Sequence, residues 1–79
     1  MQETSQPPFA EYLCELRRQR RMDLKALRDS SGIAVARLMA LESGAGTPNR
    51  RELGQLARAF RMSAETMIVK AGQLRLILD

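Results

Sequence analysis

The sequence contains no histidine, no tryptophan and one cysteine, Cys14. Without histidine and with a single thiol, the chain cannot form a structural zinc site or a histidine-based catalytic triad. Nothing is left to carry general acid–base catalysis near neutral pH, and no glycine-rich phosphate loop is present. We therefore expect a protein that is not an enzyme and that needs no metal and no cofactor. One cysteine also excludes an intramolecular disulfide, which favours a reducing compartment and predicts a cytoplasmic location.

Long apolar runs are also missing. The longest are a few residues, far short of the ~18–20 that a helix needs to span a bilayer, so no membrane partner is expected. Residues 1–8 are polar, end in Pro7-Pro8 and lack the basic and apolar segments of a secretory signal, which predicts a disordered lead-in. The remaining length fits one small domain.

What the sequence does have is arginine. Lys25 and Lys70 are the only lysines among 13 basic residues, so 11 are Arg, against 9 acidic residues and a formal net charge of +4. Because the guanidinium fork binds phosphate and carboxylate groups in a bidentate way, this composition favours an anionic partner.

Apolar residues recur at helical spacing in five segments separated by short polar or glycine-containing turns. Asp23 and Ser63 are predicted N-caps, Gly32 is a predicted left-handed stop, and Asn49 with Glu52 has the spacing of a capping box. Ala34 is a poor N-cap for the third helix. The predicted helices cover about 9–20, 24–31, 35–43, a segment that follows Asn49 and runs to about Phe60, and 64–71.

Two short helices joined by a three-residue turn with glycine are the signature of a helix-turn-helix. Three further motifs are Leu41-Glu42-Ser43-Gly44, Pro48 four residues after that glycine, and Leu56-Ala57-Arg58-Ala59-Phe60. Over roughly residues 9–71 this pattern resembles the Cro/C1-type (XRE) helix-turn-helix family. The resemblance implies an all-α, compact five-helix lambda-repressor-like domain over residues 9–72, with the helix-turn-helix at helices 2–3.

The resemblance also implies how the residues are used. The third helix would enter the major groove of double-stranded DNA, and a homodimer would bind a pseudo-palindromic site. An ion pair between Arg17 and Glu42 would fix helix 1 against helix 3. The family's base-reading positions match Val35, Ala36 and Ala40, and Arg37 on the same helix is added as the expected donor to a base. The expected phosphate contacts are Arg21, Lys25, Arg50 and Arg51.

The predicted reading helix is unusually apolar for this role. Val35, Ala36 and Ala40 have no side-chain hydrogen-bonding group and could contact only a thymine methyl group, which leaves Arg37 as the one strong donor. Helix 2 begins with Asp23-Leu24, where the family has Ser, Thr or Asn followed by Gln.

Two functions stay open on this pattern. The first is a DNA-binding transcriptional regulator of bacterial or phage type, a repressor or autoregulator that binds operator DNA as a dimer. The second is a helix-turn-helix fold used mainly for protein binding, as an antitoxin, antiactivator or adaptor whose partner is a toxin or another regulator. The apolar tail, residues 73–79, is expected to pack on its own domain or on a second copy of the chain. We favour the second alternative, a dimerisation element through Leu74, Leu76, Ile77 and Leu78.

Overall fold

A computed structural model describes residues 8–70 of the chain. Residues 1–7 and 71–79, which include most of the predicted lead-in and the predicted dimerisation tail, lie outside the described residues. Within residues 8–70 the structure contains no strand and none of its helices has the length and apolar character needed to cross a bilayer. The all-α prediction is confirmed, with helices α1 (Pro8–Gln19), α2 (Leu24–Ser31), α3 (Val35–Ser43), α4 (Arg50–Ala59) and α5 (Ala64–Lys70).

Local capping explains where these helices begin and end. The Asp23 carboxylate accepts a hydrogen bond from the Ala26 amide at 2.8 Å, so it caps α2 as predicted. Asn49 and Glu52 form the predicted capping box at α4. Gly32, with φ 81°, ends α2 in the left-handed conformation that glycine adopts without a steric penalty. Ala34, which precedes α3, provides no side-chain cap, as predicted.

Pro8 is the first residue of α1, although the sequence pattern assigns it to the lead-in. The reason is that proline has the φ of a helix and that its missing amide hydrogen has no partner in a first turn.

The α1–α2 and α4–α5 connections are the same turn used twice. Arg21 and Arg61 take left-handed φ values of 53° and 56°. In each turn the amide of the following methionine donates to the carbonyl five residues earlier, at 3.0 Å in the first turn and 2.9 Å in the second. This bond pattern is that of a Schellman motif, in which glycine is the usual left-handed residue.

One core joins the five helices, with α1 packed on α3 and α5, and α4 packed on α2 and α5. α3 contributes Leu38 and Leu41 to this core, and the opposite side of the helix faces away from it. Ile33 is buried in the turn between α2 and α3, and its amide donates to the buried Ser31 hydroxyl at 3.1 Å. The turn therefore holds α2 and α3 as a helix-turn-helix unit. The largest fully buried side chains are Leu13, Leu27, Leu38, Leu41, Leu53, Leu56, Phe60 and Met67.

Candidate nucleic-acid interface

The outward side of α3 is apolar. We define the α3 outer face as Val35, Ala36, Met39 and Ala40, two adjacent pairs that lie one helical turn apart and so share one side of the helix. Ala36 and Met39 are exposed, Met39 with 55% of its surface, whereas Val35 and Ala40 are half-buried. Met39 is missing from the predicted site, although its position four residues after Val35 places it on that face. The face offers a projecting apolar surface without a strong hydrogen-bonding group.

Arg17 and Glu42 form an ion pair between α1 and α3. Arg17 Nε donates to Glu42 Oε2 at 2.6 Å and Nη2 donates to Oε1 at 3.0 Å, while Nη1 donates to the Met22 carbonyl at 2.9 Å. The carboxylate raises the pKa of the Arg17 guanidinium. Only 9% of the Glu42 side chain is exposed, so the pair does not face a ligand. Its role is to fix the orientation of α3 relative to α1.

Cys14 lies beside this ion pair, with its Sγ 3.3 Å from Glu42 Oε1. Burial raises the pKa of the Cys14 thiol, and the hydrogen bond to Glu42 raises it further. The thiol is therefore neutral near pH 7 and belongs to the packing of α1 on α3.

Arg37, the other charged residue of α3, is bound to the start of α4. Its Nε donates to Glu52 Oε2 at 2.7 Å, and its Nη2 donates to Glu52 Oε1 at 3.0 Å and to the Thr47 carbonyl at 2.8 Å. Gly46 lies so close to the guanidinium that a Cβ there would be 2.7 Å from Arg37 Nη1. The hydrogen bond from Arg37 lowers the pKa of Glu52, and the bond from the Asn49 amide lowers it further.

The Arg37–Glu52 pair is a feature that the sequence pattern does not reveal. The pattern identifies Glu52 through its capping box and Arg37 as a donor on the reading helix, as two separate features. In the structure the Glu52 carboxylate both pairs with Arg37 and completes the capping box, because its Oε1 also accepts from the Asn49 amide at 3.0 Å. Both charges of α3 are thus matched by partners on neighbouring helices.

Two exposed basic residues lie at the start of α4, next to the start of α3. The side chains of Arg50 and Arg51 are exposed and make no hydrogen bond or ion pair with any residue in 8–70. Arg51 lines an open depression together with Ala34 and Asn49, so the start of α4 lies next to the start of α3. The positive end of the α4 dipole adds to their charge, which makes this edge attractive to an anion.

Lys25 and Arg21 are also exposed and unpaired within the described part of the chain, in the first turn of α2 and in the turn before it. Two nearby arginines differ from them. Arg28 pairs with Asp29 at 2.9 Å, and Arg20 donates to the Phe60 carbonyl at 3.2 Å with its guanidinium 5.4 Å from that ring. Arg20 and Arg28 therefore have structural partners, whereas Arg21 and Lys25 are free to contact an anion.

Comparison with known proteins supports the helix-turn-helix reading. The chain is 33% identical over 69 residues to an uncharacterized HTH-type transcriptional regulator, RghRB, of Bacillus subtilis (strain 168). The match covers 86% of the chain and 50% of that protein, so the chain spans about half the length of the relative. No protein-family model and no solved structure matches the chain. The relative and the α2–turn–α3 unit together support a helix-turn-helix family, and the finer Cro/C1-type assignment stays a prediction.

Proposed function

We propose that the chain is a cytoplasmic DNA-binding transcriptional regulator, a repressor or autoregulator, that places α3 in the major groove of operator DNA. The observation that carries this proposal is the contrast between charges. Arg37 and Glu42 of α3 are paired, whereas Arg50 and Arg51 beside it are exposed and unpaired. An outward helix with unpaired cations beside it has the charge distribution that suits a groove bordered by phosphate backbones. The similarity to an HTH-type transcriptional regulator supports the same class.

In this function the basic residues supply most of the affinity and little of the specificity. Arg50 and Arg51 contact one phosphate strand, and Lys25 and Arg21 contact the backbone near the start of α2. Each contact releases counterions, so binding weakens steeply as the salt concentration rises. With few base contacts, specificity also depends on the shape of the duplex.

The regulator is proposed to act as a homodimer. Two copies of α3 in successive major grooves require half-sites about 34–36 Å apart, one turn of the double helix. The predicted dimerisation element is the apolar tail that contains Leu74, Leu76, Ile77 and Leu78.

A mobility-shift titration of the full chain on the duplex upstream of its own gene tests the proposal. We expect a specific shift at low salt, with an apparent Kd that rises steeply with salt concentration. A scrambled duplex of equal length and composition is the control. The absence of a specific shift at low salt, even at micromolar protein, would overturn the proposal.

The exposed Met39 favours one second candidate, a helix-turn-helix used mainly for protein binding, as an antitoxin, antiactivator or adaptor. The α3 outer face would then contact an apolar surface of a toxin or of another regulator. Co-purification with the product of an adjacent gene tests this, with Val35→Glu as the disrupting variant. Capture that persists in Val35→Glu at wild-type level would rule out this use of the face.

A further inference from the structure

We infer that α3 reads the 5-methyl groups of thymine, so that the bases facing α3 in each half-site are rich in thymine. This inference rests on the proposed function, since it names what the same face recognises. Thymine is the only base that presents a methyl group in the major groove, so an apolar surface there can distinguish it from the other three.

The chemistry of the α3 outer face is the first support. Val35, Ala36 and Ala40 have no donor or acceptor in their side chains, and Met39 has only a thioether sulfur, a weak acceptor. None of them can form the bidentate bonds by which Arg reads guanine or Asn and Gln read adenine. They present methyl and methylene groups on one side of the helix, which is what contact with another methyl group requires.

The position of Arg37 is the second support. A guanine contact by Arg37 would have to break its bonds to Glu52 and to the Thr47 carbonyl. It would also leave the Glu52 carboxylate, whose side chain is 13% exposed, without its cation. Because DNA phosphates repel that carboxylate, the loss of its partner is most costly in the bound state. Arg37 therefore remains on Glu52 in the complex, and the apolar face is left to discriminate between bases.

Charge complementarity identifies DNA as the occupant of this apolar face. The unpaired Arg51 lines the depression at the start of α3, and Arg50 is its neighbour on α4. An apolar centre with a positive edge matches a thymine-rich major groove, where methyl groups lie between two rows of phosphates. An apolar protein surface would match the centre and leave the cations unused.

The effect of a single methyl group can be estimated from its burial. Burying one methyl-sized group changes affinity by about fourfold. Two or three contacted thymines in a half-site would change it by about tenfold or more, if the contributions add. A titration resolves changes of this size.

The experiment begins with selection of duplexes from a random-sequence pool by the full chain at low salt. The best-bound duplex is then synthesised with deoxyuridine in place of thymidine, which removes the 5-methyl groups and keeps the base pairing and the phosphates. We expect binding about fourfold weaker for each contacted position, and unchanged binding when the substitution lies outside the protected sequence. Equal binding of the thymine and uracil duplexes overturns the inference and leaves the proposed function standing. If the pool shows no enrichment and the chain binds no duplex, the proposed function fails and this inference fails with it.

Two further arms examine how the discrimination arises. Replacing guanine by 7-deazaguanine removes the N7 acceptor that an arginine would use, and we expect no change in affinity. A loss of affinity there would show that Arg37 leaves Glu52 and reads guanine. Met39→Gln, on an exposed side chain that the core does not need, is expected to reduce the thymine-to-uracil ratio.

Arg50→Ala is the matched control for Met39→Gln. It is expected to weaken binding to both duplexes equally and to preserve the thymine-to-uracil ratio. A ratio that is unchanged in both Met39→Gln and Val35→Ser would also overturn the inference.

Discussion

Glu52 holds the Arg37 guanidinium by two hydrogen bonds, of 2.7 and 3.0 Å, with the same carboxylate that closes the capping box at Asn49. The pair therefore connects the start of α4 to the first turn of α3. The loop between them passes over the guanidinium at Gly46 and accepts a hydrogen bond through the Thr47 carbonyl. The start of α4, which carries Arg50 and Arg51, is therefore held against the first turn of α3.

The charge of Glu52 is expected to contribute stability at neutral pH that is lost in acid. The partner cation Arg37 lowers the pKa of Glu52 in the folded state below its ordinary value of 4.5. Stability from such a group is fully present above the unfolded pKa and is lost as the pH falls through the folded pKa. Glu52→Gln keeps a capping-box residue and removes the charge.

We expect Glu52→Gln to melt a few degrees below the wild type at neutral pH, with the difference shrinking below pH 4.5. Thermal unfolding followed by circular dichroism across this pH range measures both variants. Asp29→Asn is the control, because its exposed pair with Arg28 adds little to stability. A difference between Glu52→Gln and wild type that grows in acid would contradict the assignment.

Removing one partner of the Arg17–Glu42 pair is expected to destabilise the fold, whereas replacing both partners with apolar residues is expected to change stability little. Arg17→Met leaves the largely buried Glu42 carboxylate without its cation and is expected to lower the free energy of unfolding by about 2 kcal/mol. Arg17→Met combined with Glu42→Leu removes the unpaired charge and is expected to recover most of that loss. Urea titrations with unchanged m-values give the comparison. If the double variant is as unstable as the sum of the two single variants, the pair is not acting as a unit.

Most of the fold follows from local signals in the sequence. The boundaries of α2 and α3 agree with the prediction because Asp23, Gly32 and Gly44 specify them through side-chain and backbone preferences. The inward positions of Leu38 and Leu41 follow from helical spacing.

The candidate site depends more on tertiary structure. The Arg37–Glu52 bond joins residues 15 apart in the chain, through a loop whose path no local pattern specifies. The exposure of Met39 does follow from helical spacing, whereas the resemblance assigns the reading positions to its neighbours. The partners of individual arginines, such as Arg20 on Phe60, likewise depend on how the helices pack.

Arg50 and Arg51 are expected to contribute to DNA affinity without contributing to sequence preference. Arg50→Ala and Arg51→Ala are each predicted to weaken binding on all duplexes and to reduce the slope of log K against log salt concentration by about 1. Arg58→Ala is the matched control, since it removes an exposed charge from the last turn of the same helix. Fluorescence anisotropy over a salt series measures the slopes. An equal fall in slope for Arg58→Ala would mean that total charge, not position, determines affinity.

Arg21 and Arg61 allow stability to be separated from DNA binding, because they occupy equivalent left-handed positions in two copies of one turn. A residue with a Cβ is strained in that conformation, and glycine relieves the strain at some entropic cost in the unfolded chain. Arg21→Gly and Arg61→Gly are therefore each expected to raise the free energy of unfolding by about 0.5–1 kcal/mol. Only Arg21 is among the proposed phosphate contacts, so only Arg21→Gly is expected to weaken DNA binding and lower its salt dependence. Urea titration and anisotropy on the same two proteins provide the test, and equal losses of affinity would remove Arg21 from the interface.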